Sequence, residues 1–304
     1  MKKALFDRSS GKITVSFLLL VIAMMVIFLG GCSYGWDEFF YRKNSVNSRS
    51  DRILDLDGTD SAPKTEGRSR YSVVLFSDIH VGGKKNDPDV LIDWMRVQKP
   101  LLEQEGFPIE FAVCAGDLTY SGIRSEYKDY AAIGERMEQL AGIRLYSVLG
   151  NHDVYNSGWD DYEDLVFPYS SYYRFTTPSG ESNLSWYFLD TASGTLGTEQ
   201  LEDLFYRFKH DSNRKVVVTH FPLLLKSSMY YCLQNIDERD MLIDEFCRND
   251  VKVLLTGHAH IEDGYNYNGY FEEVNLESYI KNYAATILYV DVQNGTFRVR
   301  RFHL

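Results

Sequence analysis

The chain has 304 residues, 44% apolar and 25% charged, enough for one large domain with a full hydrophobic core. Its net charge of −11 argues against nucleic acid as a partner, and an anionic substrate would need bound metal ions to draw it in. Four cysteines without a Cys-x-x-Cys pair exclude a zinc ribbon or a thioredoxin-like site.

Residues 1–12 carry Lys2, Lys3, Arg8 and Lys12, and an apolar run follows from Ile13 to Leu29. Gly30-Gly31-Cys32 then closes it with small residues. This is the layout of a secretory signal, and the run is marginal in length for a membrane span. Leu29-Gly-Gly-Cys32 resembles a bacterial lipobox, which implies removal of residues 1–31 and lipid on the Cys32 thiol. An uncleaved anchor is the alternative. Both predict a membrane-anchored protein of the cell envelope, facing the periplasm or the exterior. Residues 32–70 are polar and mixed in charge and read as a linker. Asp55-Leu-Asp-Gly-Thr59 lacks the buried strand that a phosphatase nucleophile motif needs, and reads as chance.

Tyr71–Ser77 is an apolar strand running into Asp78-Ile79-His80, whose two ligating side chains share one side of an extended segment. Asp87-Pro88 predicts a helix start, with Val90, Leu91, Trp94 and Val97 as its apolar face. Phe111–Ala115 is a second strand, ending in Gly116-Asp117. A helical stripe of Tyr127, Tyr130, Ala131, Met137 and Leu140 stops at Gly142. Leu145–Leu149 delivers Gly150-Asn151-His152-Asp153. Ser185–Asp190 is a fourth strand, followed by a helix capped by Thr198 that buries Leu201, Leu204, Phe205 and Phe208. Lys215–Thr219 delivers His220, and Val251–Thr256 delivers Gly257-His258-Ala259-His260. Asn294-Gly295 predicts a closing hairpin of 285–292 with 296–303. Cys114 reads as a core thiol, and a Cys232–Cys247 bridge stays open.

Five of the seven histidines stand at strand ends: His80, His152, His220, His258 and His260. One such histidine would be unremarkable. Five at equivalent topological positions, with Asp78, Asp117 and Asn151, describe an oxygen and imidazole donor set for Mn, Fe or Zn, large enough for two ions.

These motifs, in order over about residues 71–304, resemble the calcineurin-like metallophosphoesterases, nearest their bacterial phosphodiesterase-like branch. The resemblance implies a four-layer α/β/β/α sandwich with two central mixed sheets. It implies one metal on Asp78, His80 and His260, a second on Asn151, His220 and His258, and Asp117 bridging them. His152 would protonate the leaving oxygen, Asp153 would orient that imidazole, and Asn151 and His152 would meet the substrate. Attack by hydroxide made at the metals would then cleave a small phosphomonoester or phosphodiester. Gly116-Asp-Leu-Thr-Tyr120 departs from the protein phosphatase run, so protein substrates are not expected. Tyr120 is expected to pack near the site. Loops 154–184 and 223–236 hold Tyr155, Trp159, Tyr162, Tyr169, Tyr172, Tyr173, Tyr230 and Tyr231, expected mainly to pack the sandwich, with stacking on substrate the functional alternative. A non-catalytic surface lipoprotein is the rival reading, and it would be expected to have lost some of these residues.

Overall fold

The computed structural model describes residues 45–65, 67–84, 87–179 and 182–304. The expected signal segment 1–31 and the lipidated Cys32 lie outside the described residues. The linker expectation needs correction over 45–65. A short helix α1 (Val46–Arg49) and strand β1 (Leu54–Asp55) are docked on the body, with β1 pairing in parallel beside Tyr173 and Arg174. Ile53, Leu56 and Thr65 are buried. Polar composition concealed this because the anchor is itself polar. Arg49 Nε donates to Asp190 Oδ2 at 2.6 Å, with both side chains wholly buried, and Arg49 Nη2 reaches Ser193 Oγ at 2.7 Å. Asp55 and Asp57 pair with Arg174, a structural use for the decoy motif. Arg49→Ala strands Asp190 as a buried lone charge. We expect a loss of about 3–5 kcal/mol, or on the order of 10 °C in melting temperature, checked by thermal denaturation.

β2 (Arg70–Phe76) leads to α2 (Pro88–Gln104), where the Asp87 side chain accepts from Asp89 N as predicted. β3 (Ile109–Cys114), α3 (Arg124–Ala141, closed by left-handed Gly142) and β4 (Arg144–Ser147) follow. After α4 (Gly158–Leu165) comes a hairpin, β5 (Tyr173–Ser179) with β6 (Ser182–Phe188). β5 was not predicted, because its Tyr173 reads as a loop residue. α5 (Gly197–His210) starts after Leu196 with no side-chain cap, so Thr198 is not the cap. β7 (Arg214–Val218), α6 (Ile236–Arg248) and β8 (Val251–Thr256) continue the alternation. Two strands without a sequence expectation, β9 (Asp263–Asn266) and β10 (Glu272–Asn275), precede α7 (Tyr279–Asn282) and the expected hairpin β11 (Ala284–Asp291) with β12 (Thr296–His303).

Two mixed sheets result, ordered β12-β11-β2-β3-β4 and β1-β5-β6-β7-β8-β10-β9. Side-chain alternation sends Val73, Leu75, Phe111 and Val113 to meet Phe175, Trp186, Val216 and Leu255 between the sheets. Val74, Phe76 and Cys114 face outward against α2 and α3, and Val217 and Leu254 face α5 and α6. This is the expected four-layer α/β/β/α order. Val97 and Leu140 are exposed, outside the faces assigned to them. Cys232 and Cys247 are free thiols, so the open bridge is not formed. No described helix is long and apolar enough to cross a membrane.

Candidate metal centre

Strands β2, β3, β4, β7 and β8 end at one edge, and the ligating residues follow their last paired positions. Backbone bonds lace these ends together. The Asp78 N–H donates to the Gly116 carbonyl and the His80 N–H to the Asp117 carbonyl, both at 3.0 Å. The Gly257 N–H donates to the His220 carbonyl, also at 3.0 Å. Five of the predicted residues hold the left-handed backbone region that side chains avoid: Asp78, His80, Asp117, His258 and His260, with φ between 46° and 66°. Each such residue costs about 1–3 kcal/mol, which the surrounding fold must offset. Two motif glycines are there for close approach. A Cβ on Gly150 would lie 2.1 Å from Asp117 N, and one on Gly257 would lie 1.9 Å from Ser77 Oγ.

Two groups of donors share one carboxylate. Asp78, His80, Asp117 and His260 form the first, and Asp117, His220 and His258 the second, with ligand atoms in each within 4.8 Å of one another. Asp117 Oδ2 is 3.5 Å from His80 Nε2, and its Oδ1 is 3.4 Å from His220 Nε2. Asn151 Oδ1 completes the second side, 3.3 Å from His220 Nε2. His220 Nδ1–H donates to the Ala115 carbonyl at 2.8 Å and His80 Nδ1–H to the Thr119 carbonyl at 3.3 Å, so each ring turns its Nε2 toward the carboxylate.

Charge follows the same plan. Burial works to raise Asp117, but His220 and then His80 hold it far below the usual carboxylate range. Burial lowers His220, and Asp117 outweighs that and lifts it to about 9. Burial and the neighbouring His220 push His258 down to about 4, and burial also lowers His80. Two neutral imidazoles and anionic carboxylates are the protonation states that ligation requires. Asp78 Oδ1 lies 3.0 Å from His260 Nε2 without the alignment of a hydrogen bond, and it and His258 Nδ1 are buried without a hydrogen-bond partner. Buried polar atoms without partners are rare, and here they point among other donors. The residues therefore fit divalent metal ions.

The expectation for Asp153 is corrected. Its carboxylate accepts from Leu118 N, Thr119 N, Thr119 Oγ1 and Gly150 N at 2.8–3.1 Å, and it does not hold the His152 ring. Burial and then Asp117 raise it to about 7. It ties two motif turns together. The His152 ring is oriented instead by the Tyr120 carbonyl, which accepts from Nδ1–H at 2.7 Å. A backbone acceptor leaves no signal in the sequence. The half-buried His152 packs edge-on to His80 with ring centroids 4.5 Å apart, and its N–H donates to Asp117 Oδ1 at 2.9 Å.

The sequence matches the profile described as calcineurin-like phosphoesterase over residues 71–262. The chain belongs to this family. It is a hydrolase of the metallophosphoesterase class. No curated protein matches it. Among solved structures it is similar to a dimetal phosphatase from Danio rerio, at 12% identity and TM-score 0.54, over 75% of this chain and 98% of that one. It is also similar to a 5′-nucleotidase from Candida albicans, at 13% identity and TM-score 0.53, over 76% of this chain and 50% of that one. A third is the sulfate thiohydrolase of Thermus thermophilus, at 14% identity and TM-score 0.50, over 77% of this chain and 56% of that one. The chain thus spans about half the length of the last two. At these identities the likeness concerns the fold.

The aromatic loops divide. Trp159, Tyr162, Tyr172 and Tyr173 are core residues, as expected. Tyr155 and Tyr120 approach the His152 ring, and Tyr231 and Phe221 approach His258. The loop carrying Phe221 is held by Glu273, which accepts from Leu223 N, Leu224 N and the Tyr267 hydroxyl. Burial lifts Glu273 from 4.5 to about 7. The folded state then binds this proton more tightly than the unfolded chain, so its contribution to stability is fullest below pH 4.5 and is lost as pH rises to about 7. Glu273→Gln, which cannot ionise, should gain stability relative to the wild type between pH 5 and pH 8. Melting curves at both pH values check this, and a constant difference would count against it.

Proposed function

We propose that the chain is a dinuclear metallophosphohydrolase cleaving a small phosphomonoester or phosphodiester, tethered to a membrane outside the cytoplasm through lipid on Cys32. The observation that carries the catalytic reading is the single Asp117 carboxylate placed between two donor groups. Asp78, His80 and His260 would hold one ion, Asn151, His220 and His258 the other, and Asp117 both. When bound, the ions supply a more acidic water and positive charge opposite the phosphoryl oxygens. The chain's own part is to fix geometry and move a proton. His152, with Nδ1–H committed to the Tyr120 carbonyl, presents Nε2 to the ester oxygen and protonates it as the bond breaks. Asn151 donates from Nδ2 to the Tyr155 hydroxyl at 3.1 Å, which turns its oxygen toward His220.

Metal analysis of the purified protein, then turnover of bis-p-nitrophenyl phosphate against p-nitrophenyl phosphate with Mn, Zn or Fe, tests this reading. Two metals per chain and turnover of at least one ester are expected. Bound metal without turnover of either would count against it.

A further inference from the structure

Where the chain enters the folded body bears on which way the metal centre faces. Leu54 pairs with Tyr173, which pairs with Phe188, which pairs with Val218. Residues 45–53 therefore lie beyond the strand ends on the edge that carries His220. Arg49 is bound there to Asp190, and Thr191 Oγ1 accepts from His220 N at 3.2 Å. The N-terminal anchor is thus two residue contacts away from a donor of the metal centre.

The same edge carries exposed apolar side chains. Met229, Tyr230 and Ile236 are 45%, 79% and 59% exposed. Tyr231 beside them has its ring 6.0 Å from His258. This segment adjoins the anchor: Glu238 accepts from Thr195 Oγ1 and Leu196 N, next to the Ser193 that Arg49 binds and the Gly197 that abuts Val46. Tyr120 and Ile261 are exposed on the turns that follow Asp117 and His260. An apolar rim around a polar centre on a chain of net charge −11 is suited to contact that does not depend on basic charge.

We infer that this edge is a bilayer-facing surface, with Met229, Tyr230 and Ile236 seated at the lipid interface and the metal centre opening toward the membrane. The inference rests on the tethered reading proposed above. Residues 33–44 separate Cys32 from the first described residue, and twelve residues span at most roughly 40 Å. Lipid on Cys32 would thus keep the anchor, and the edge beside it, within that reach of the bilayer. Tyrosine, with its apolar ring and polar tip, is suited to the headgroup level, and flanking Met and Ile add buried apolar area. The surface should accept zwitterionic lipid and tolerate salt.

The test uses the full chain, purified with its lipid and reconstituted in phosphatidylcholine vesicles. Met229→Cys, Ile236→Cys and, as a control at the far end of α2, Leu101→Cys are each made in a Cys247→Ser background and labelled with nitrobenzoxadiazole. Labels at 229 and 236 should shift to the blue and be quenched by nitroxide-bearing lipids, while the label at 101 should do neither. Equal emission at all three positions, with the chain still vesicle-bound after alkaline carbonate, would overturn the orientation and leave the tether standing. Protection of 229 and 236 by a second copy of the chain, without lipid quenching, would also overturn it. Release of the chain by carbonate would overturn the tether and this orientation with it.

Discussion

Asp117→Asn should leave a folded protein that has lost metal and activity together. The amide retains an oxygen to accept the His152 N–H, so the turn at residue 150 keeps its backbone bond. What disappears is the one negative charge set between His80 and His220. That charge is what lifts His220 to about 9 and is itself held far below the usual carboxylate range. Without it, neither donor group has a shared anion to hold its cation, and the like charges of two ions would no longer be offset between them. Several kcal/mol of transition-state stabilisation rest on bound metal, so turnover should fall by about a thousand-fold or more. Elemental analysis by plasma mass spectrometry and rates on an aryl phosphate report the two losses. A variant that keeps both ions and a rate near the wild type would remove Asp117 from the bridging role.

His152→Ala should separate metal from chemistry. The ring is half-buried and contributes no atom to either donor group, so metal content should stay at the wild-type level. Turnover should fall by about 10²–10⁴-fold for an alkyl ester, whose leaving oxygen needs a proton. The loss should be much smaller for a p-nitrophenyl ester, whose leaving group departs as a stable anion. The ratio of the two losses is the readout, because a ring that only supported the turn would depress both rates alike. Equal losses would take the acid role from His152. Replacing Tyr120 leaves the orienting acceptor in place, since that acceptor is a backbone carbonyl.

The chain's organisation was largely legible residue by residue. Parallel strands such as Lys215–Thr219 and Val251–Thr256 are buried on both faces, so they appear as apolar runs, and a polar residue immediately after such a run is conspicuous. Strand β5 escapes the sequence pattern because its Tyr173, which faces the space between the two sheets, has the same letter as a loop tyrosine. Tyr173 packs on Phe188 at 4.4 Å, and its hydroxyl bonds Ser147, partners remote in sequence. Residues 45–56 were misread for a related reason. Arg49 is read as a solvated charge until Asp190, 141 positions away, is placed against it.

The amino-acid sequence alone determined the βα alternation, the family resemblance and the donor residues, because strand burial and strand-end polarity are local properties of one segment. Tertiary structure alone decided that Asp117 lies between two donor groups, that a carbonyl rather than Asp153 aims His152, and that the N-terminal segment docks at the same edge. Each of these depends on where distant segments are brought together, and no single segment encodes that meeting.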